Sequence, residues 1–157
     1  MTRTNPPPIE FTHWVSWADR GTLRRADGPW LGLYLWARFD RAPSQSTKPY
    51  PSLPEQLIYI GETKHLDLRP LAGRHHRLAH YRDTFPDDRD LQRLYISVCH
   101  LYHFKDGYKT AAASALYANL RVYTQHIEAQ LYWEYTRRWG RPPALHYKKG
   151  RKDADVM

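Results

Sequence analysis

Two short apolar runs constrain this chain more than anything else in it: Trp30-Leu31-Gly32-Leu33-Tyr34-Leu35-Trp36 and Gln56-Leu57-Ile58-Tyr59-Ile60-Gly61. Each is short, rich in aromatic side chains and bounded by turn formers, the pattern of a buried strand. Asp27-Gly28-Pro29 is a turn into the first run. Asp40 to Glu55 holds Pro43, Pro49, Pro51 and Pro54 among Ser, Thr, Lys and Gln, so it reads as a loop joining the two strands.

The remaining elements follow from periodicity and stop signals. Pro70 suits the first position of a helix, and Leu71, Arg74, Leu78 and Tyr81 recur at steps of three and four up to Phe85-Pro86. A third strand is expected over Arg93-Leu94-Tyr95-Ile96-Ser97-Val98-Cys99. Thr110 to Trp139 is helical in character, with Leu116, Leu120, Tyr123, Ile127, Leu131 and Tyr135 on an apolar face, either as one helix or as two with a kink. Gly140 and Pro142-Pro143 stop it. Residues 1–27 read as an irregular arm, since three consecutive prolines forbid helix, with Phe11, Trp14 and Trp17 at helix-like spacing. Residues 28–147 form one domain and 148–157 a basic tail. The order strand, strand, helix, strand, helix predicts an α/β (α+β) fold: a small three-stranded sheet, mixed or antiparallel, flanked by helices.

Charge narrows the partners. With 24 Lys+Arg against 16 Asp+Glu the chain carries +8, which favours a polyanion, nucleic acid before an anionic membrane. No apolar run approaches the roughly 20 residues that span a bilayer. The N-terminus has no apolar signal segment, and a lone Cys99 forbids an internal disulfide, so a cytoplasmic setting is expected.

Gly32-Leu33-Tyr34 followed by Tyr59-Ile60-Gly61 resembles the paired tripeptides of the GIY-YIG nucleases. That resemblance implies a small α/β domain that cuts DNA phosphodiesters with one Mg²⁺ (or Mn²⁺). It also implies an arginine on the helix after the second tripeptide and a metal-binding glutamate on a later helix. Here 24 residues lie between the two tyrosines, a longer connection than in much of the family.

Glu128 fits the glutamate. It stands among apolar helix positions in Ile127-Glu128-Ala129-Gln130-Leu131, where a carboxylate is costly unless paired or bound to a cation. A salt bridge to Arg121 or another basic neighbour is the plainer reading, and Glu134, six residues on, is the competing glutamate on another face. For the arginine, Arg74 is preferred because Leu71 precedes it by three; Arg69 and then Arg77 follow. Its task would be bidentate contact to the scissile phosphate. By resemblance, Tyr34 is the candidate base and Tyr59 its partner in orienting water or phosphate.

Three departures from the family pattern stand out. Relatives commonly have lysine directly after the second tripeptide; here it is Glu62, with Lys64 two residues later. Relatives often place His or Tyr four residues after the helix arginine; four after Arg74 is Leu78, with His75, His76 and His80 nearby as phosphate contacts. An asparagine common after the glutamate helix is absent, and His146 is the substitute candidate. Lys148 and Lys149 extend a basic run beside that helix, suited to gripping backbone phosphates without reading sequence. Zinc held by His75, His76 and His80, or by His100 and His103, is a minor alternative with only one Cys in the chain. A homodimer is expected if the DNA target is palindromic. A non-catalytic nucleic-acid-binding module of the same fold is the alternative to an endonuclease.

Overall fold

A computed structural model describes residues 6–25, 29–44, 46–67, 70–71, 75 and 77–146. Strands β1 (Val15–Ser16), β2 (Trp30–Arg38), β3 (Leu57–Thr63) and β4 (Leu94–His103) form one sheet in the order β1-β4-β2-β3. Every pairing is antiparallel. Helix α1 (Arg77–Thr84) precedes β4 and helix α2 (Ala111–Trp139) follows it; single 3-10 segments lie at Trp17–Leu23 and Pro86–Asp88. The mixed α+β architecture is as the pattern predicts, but the sheet has four strands rather than three.

The extra strand comes from the expected arm. Val15 pairs with Ile96 and Ser16 with Tyr95, at the free edge of β4. Residues three apart share a helix face but fall on opposite faces of a strand. Accordingly Trp14 joins the cluster on one side of the sheet and Trp17 the cluster on the other. The spacing that looked helical is used instead to wrap the chain around the sheet edge.

One side of the sheet holds Leu31, Leu33, Leu35 and Ile60 against Leu131 and Tyr135 of α2. The other holds Tyr34, Trp36, Tyr59, Ile96 and Val98 against Leu78 and Tyr81 of α1. Helix α2 is a single element of 29 residues. Thr110 caps its start, its hydroxyl oxygen accepting the Ala113 N–H at 3.1 Å. Gly140, at φ +74, ends it in the left-handed conformation, its N–H donating to the Thr136 carbonyl at 2.8 Å. Helix α1 starts later than Pro70 suggests. Pro70 and Leu71 form a turn, and the Leu71 N–H donates to the Leu66 carbonyl at 3.3 Å. No helix among the described residues is long and apolar enough to cross a membrane.

Candidate active site

Neighbouring strands, β2 inside the sheet and β3 at its edge, place the two tyrosines. Tyr34 stands opposite Gly61, and Trp36 opposite Tyr59. Directly paired residues share a face, so Tyr34, Trp36 and Tyr59 all lie on the α1 side. The glycine opposite Tyr34 is what lets its ring lie flat across β3: a Cβ at position 61 would sit 2.4 Å from Tyr34 Cζ and 2.6 Å from its hydroxyl oxygen. The two phenol rings are 5.8 Å apart between centroids. The glycine of the first tripeptide has a separate purpose. A Cβ on Gly32 would meet the Cys99 carbonyl and Leu66 Cδ1, each at 2.2 Å.

The start of α1 supplies the next groups. His75 Nε2 lies 2.5 Å from the Tyr34 hydroxyl oxygen, and His75 Nδ1 accepts the Arg77 backbone N–H at 3.1 Å. The Arg77 guanidinium stacks over the Tyr59 ring, 5.3 Å from its centroid, and its Nη1 lies 3.5 Å from His80 Nδ1. Its Nε–H is buried with no acceptor. Arg77 is the candidate arginine that falls among the described residues, and it lies at the tyrosines. Arg69 and Arg74 lie outside the described residues, as do His76, Lys148 and Lys149. Arg77 also has Tyr81 four residues on, the spacing that Arg74 lacks.

Helix α2 brings Glu128 to the same region. Burial and the neighbouring Glu62 carboxylate push the Glu128 carboxyl up to about 7. Tyr34 is within electrostatic range of Tyr59, Glu128 and Arg77. Burial first, then Tyr59, then the Glu128 charge push its hydroxyl well above the ordinary tyrosine range, while Arg77 pulls it down. The alternative for Glu128, a salt bridge to Arg121, is not formed: Arg121 Nε faces the Glu62 carboxylate at 4.0 Å. Among the described residues no cation pairs with Glu128. Glu134 faces away, lining a surface cavity of about 470 Å³ with Pro51, Leu53, Arg137 and Arg138.

Other candidates are engaged apart from the tyrosines. Lys64 is exposed, its ammonium 6.0 Å from the Tyr108 ring centroid. His146 packs on Tyr132, one turn beyond Glu128, with centroids 4.0 Å apart. The neighbouring Leu145 N–H donates to the Ile58 carbonyl at 2.8 Å, so the segment carrying His146 lines the β3 edge. His100 meets Asp67 at 3.4 Å and His103 stacks on Trp30. Among the described residues, no three His, Cys, Asp or Glu side chains gather as a metal site. The sequence did not reveal the direct contact between His75 and Tyr34; a histidine just ahead of a helix start was its only trace.

The donor chemistry around Glu128 suits a hard divalent cation. A partly buried carboxylate without a basic partner, beside a second carboxylate, is a site where one cation relieves both desolvation and repulsion. No protein-family model matches the chain, and no curated protein or solved structure is significantly similar to it.

Proposed function

We propose that this chain is a GIY-YIG-type endonuclease that hydrolyses DNA phosphodiester bonds with one Mg²⁺ or Mn²⁺. The observation that carries the reading is the convergence on Tyr34: His75 touches its hydroxyl, and Tyr59, Glu128 and Arg77 all act on its proton affinity. Glu128 would hold the cation, which when bound supplies Lewis acidity and counter-charge for the phosphorane. Arg77, stacked over the Tyr59 ring, would grip the scissile phosphate and offset the charge that grows on it. Tyr34 orients the attacking water through its hydroxyl. In the absence of a cation it is a neutral phenol, and any added positive charge acts in the same sense as Arg77, toward losing its proton. Tyr59 packs beneath the guanidinium and fixes its direction.

Supercoiled plasmid incubated with the protein tests this directly. Nicked or linear DNA is expected with Mg²⁺ or Mn²⁺, none with EDTA, and none from Glu128→Ala. Retention of DNA without cleavage under any divalent cation would instead make the chain a binding module on the same fold. Cleavage by Glu128→Ala equal to wild type would defeat the site. A cytoplasmic setting and a homodimer belong to the same proposal; sedimentation on a palindromic duplex reads the second.

A further inference from the structure

We infer that His75 is a positioning residue whose Nε2–H, held in that tautomer by helix α1, donates to the Tyr34 hydroxyl oxygen. The argument runs through proton positions. A backbone N–H can only donate, so the 3.1 Å contact from the Arg77 N–H requires a lone pair on His75 Nδ1. In a neutral imidazole the other nitrogen then carries the proton. That nitrogen is the one 2.5 Å from Tyr34, so the phenol oxygen is the acceptor and its own proton turns away from His75. The ring is fixed in this pose by edge contacts with Tyr34, Trp36 and Tyr59, at centroid distances of 5.4, 4.9 and 5.9 Å.

The chemical consequence is specific. His75 cannot take the proton from Tyr34, because Nε2 has no lone pair to receive it and Nδ1 faces the helix. Instead it is a fixed donor that steadies negative charge forming on the phenol oxygen and limits where the hydroxyl proton can point. The contact also satisfies a backbone N–H at the start of α1, one of the donors that a helix leaves unpaired. Orientation of the tyrosine and initiation of the helix therefore share one imidazole.

The kinetic part of the inference rests on the nuclease reading, whereas the tautomer does not. Long-range proton–nitrogen correlation on protein with isotope-labelled histidine reads the tautomer, with His75→Gln used to assign the signal. An unprotonated Nδ1 and a protonated Nε2 are expected; a proton on Nδ1 overturns the inference. In plasmid cleavage with Mg²⁺, His75→Gln places an amide N–H near the Nε2 position and should stay within about 10-fold of wild type. His75→Leu should lose about 100-fold in kcat at unchanged KM, the order expected for removing a preorganised donor. Equal losses in both variants overturn the inference. Should the leucine variant not fold, a glutamine variant down by about 100-fold does the same. A wild-type protein that cleaves nothing defeats the nuclease reading, and the spectrum alone then decides the tautomer.

Discussion

Replacing Glu128 by Gln should stabilise the protein when no divalent cation is present, and only at neutral to alkaline pH. The folded protein holds the Glu128 proton up to about pH 7, against an ordinary carboxyl value of 4.5. Between those two values the native state binds a proton that the unfolded chain has released, so stability falls as pH rises through the window. Below pH 4.5 the carboxyl is protonated in both states and nothing is lost. Above about pH 7 the full cost is present. At 1.36 kcal/mol per pH unit the interval corresponds to roughly 3 kcal/mol. The carboxylate is partly exposed, so solvent screening reduces this to about 1–2 kcal/mol. Gln keeps the shape and removes the charge. At pH ~8 in EDTA, Glu128→Gln should therefore melt about 3–6 °C above wild type, and at pH ~4 the two should coincide. Tryptophan fluorescence follows the transition, since Trp17 and Trp36 are buried on the α1 side. Adding Mg²⁺ should raise the wild-type midpoint and leave the variant unmoved. A variant that still loses stability between pH 4.5 and 7 as wild type does would show that another group carries the effect, and the reasoning about Glu128 would fail.

Gly61→Ala should cost about 1–3 kcal/mol in urea unfolding, since its methyl group must displace the buried Tyr34 ring; a cost near zero would mean that the ring is not pinned there. Arg77→Lys keeps a charge but loses the planar fork, so cleavage should drop about 100-fold or more with Mg²⁺ binding intact; near-normal cleavage would move the phosphate contact to another arginine. Glu134→Ala should leave both the Mg²⁺-dependent melting shift and cleavage unchanged, because Glu134 lines the cavity with Pro51 and Leu53; loss of either would put the cation on the wrong glutamate here.

Elements marked by strong periodicity and clear ends were legible in the sequence. The runs holding Tyr34 and Tyr59 became β2 and β3, and the stretch opened by Thr110 and closed by Gly140 became a single α2. In both cases the local pattern and the packing ask for the same thing. The N-terminal segment was not legible, because a three-residue spacing of tryptophans serves a helix face or two faces of a strand equally well. What decided it was the free edge of β4, a partner 80 or so residues away that no local window contains. The start of α1 was misplaced for a related reason: Pro70 permits a helix, but the described turn at Pro70 and Leu71 and the His75 cap put the first helical residue at Arg77. A leucine three residues ahead of Arg74 marks a helix face in the sequence, but no local pattern marks the stacking of Arg77 on Tyr59, a residue of another element.

Helix α1 is only eight residues long, from Arg77 to Thr84, and so short a helix has little propensity to persist by its own hydrogen bonds. The imidazole at its leading end is bonded to the Tyr34 oxygen as well. Fraying of that first turn and release of the phenol are thus a single event. On warming, the bonds around the Tyr34 oxygen would come apart while the sheet beneath is still whole.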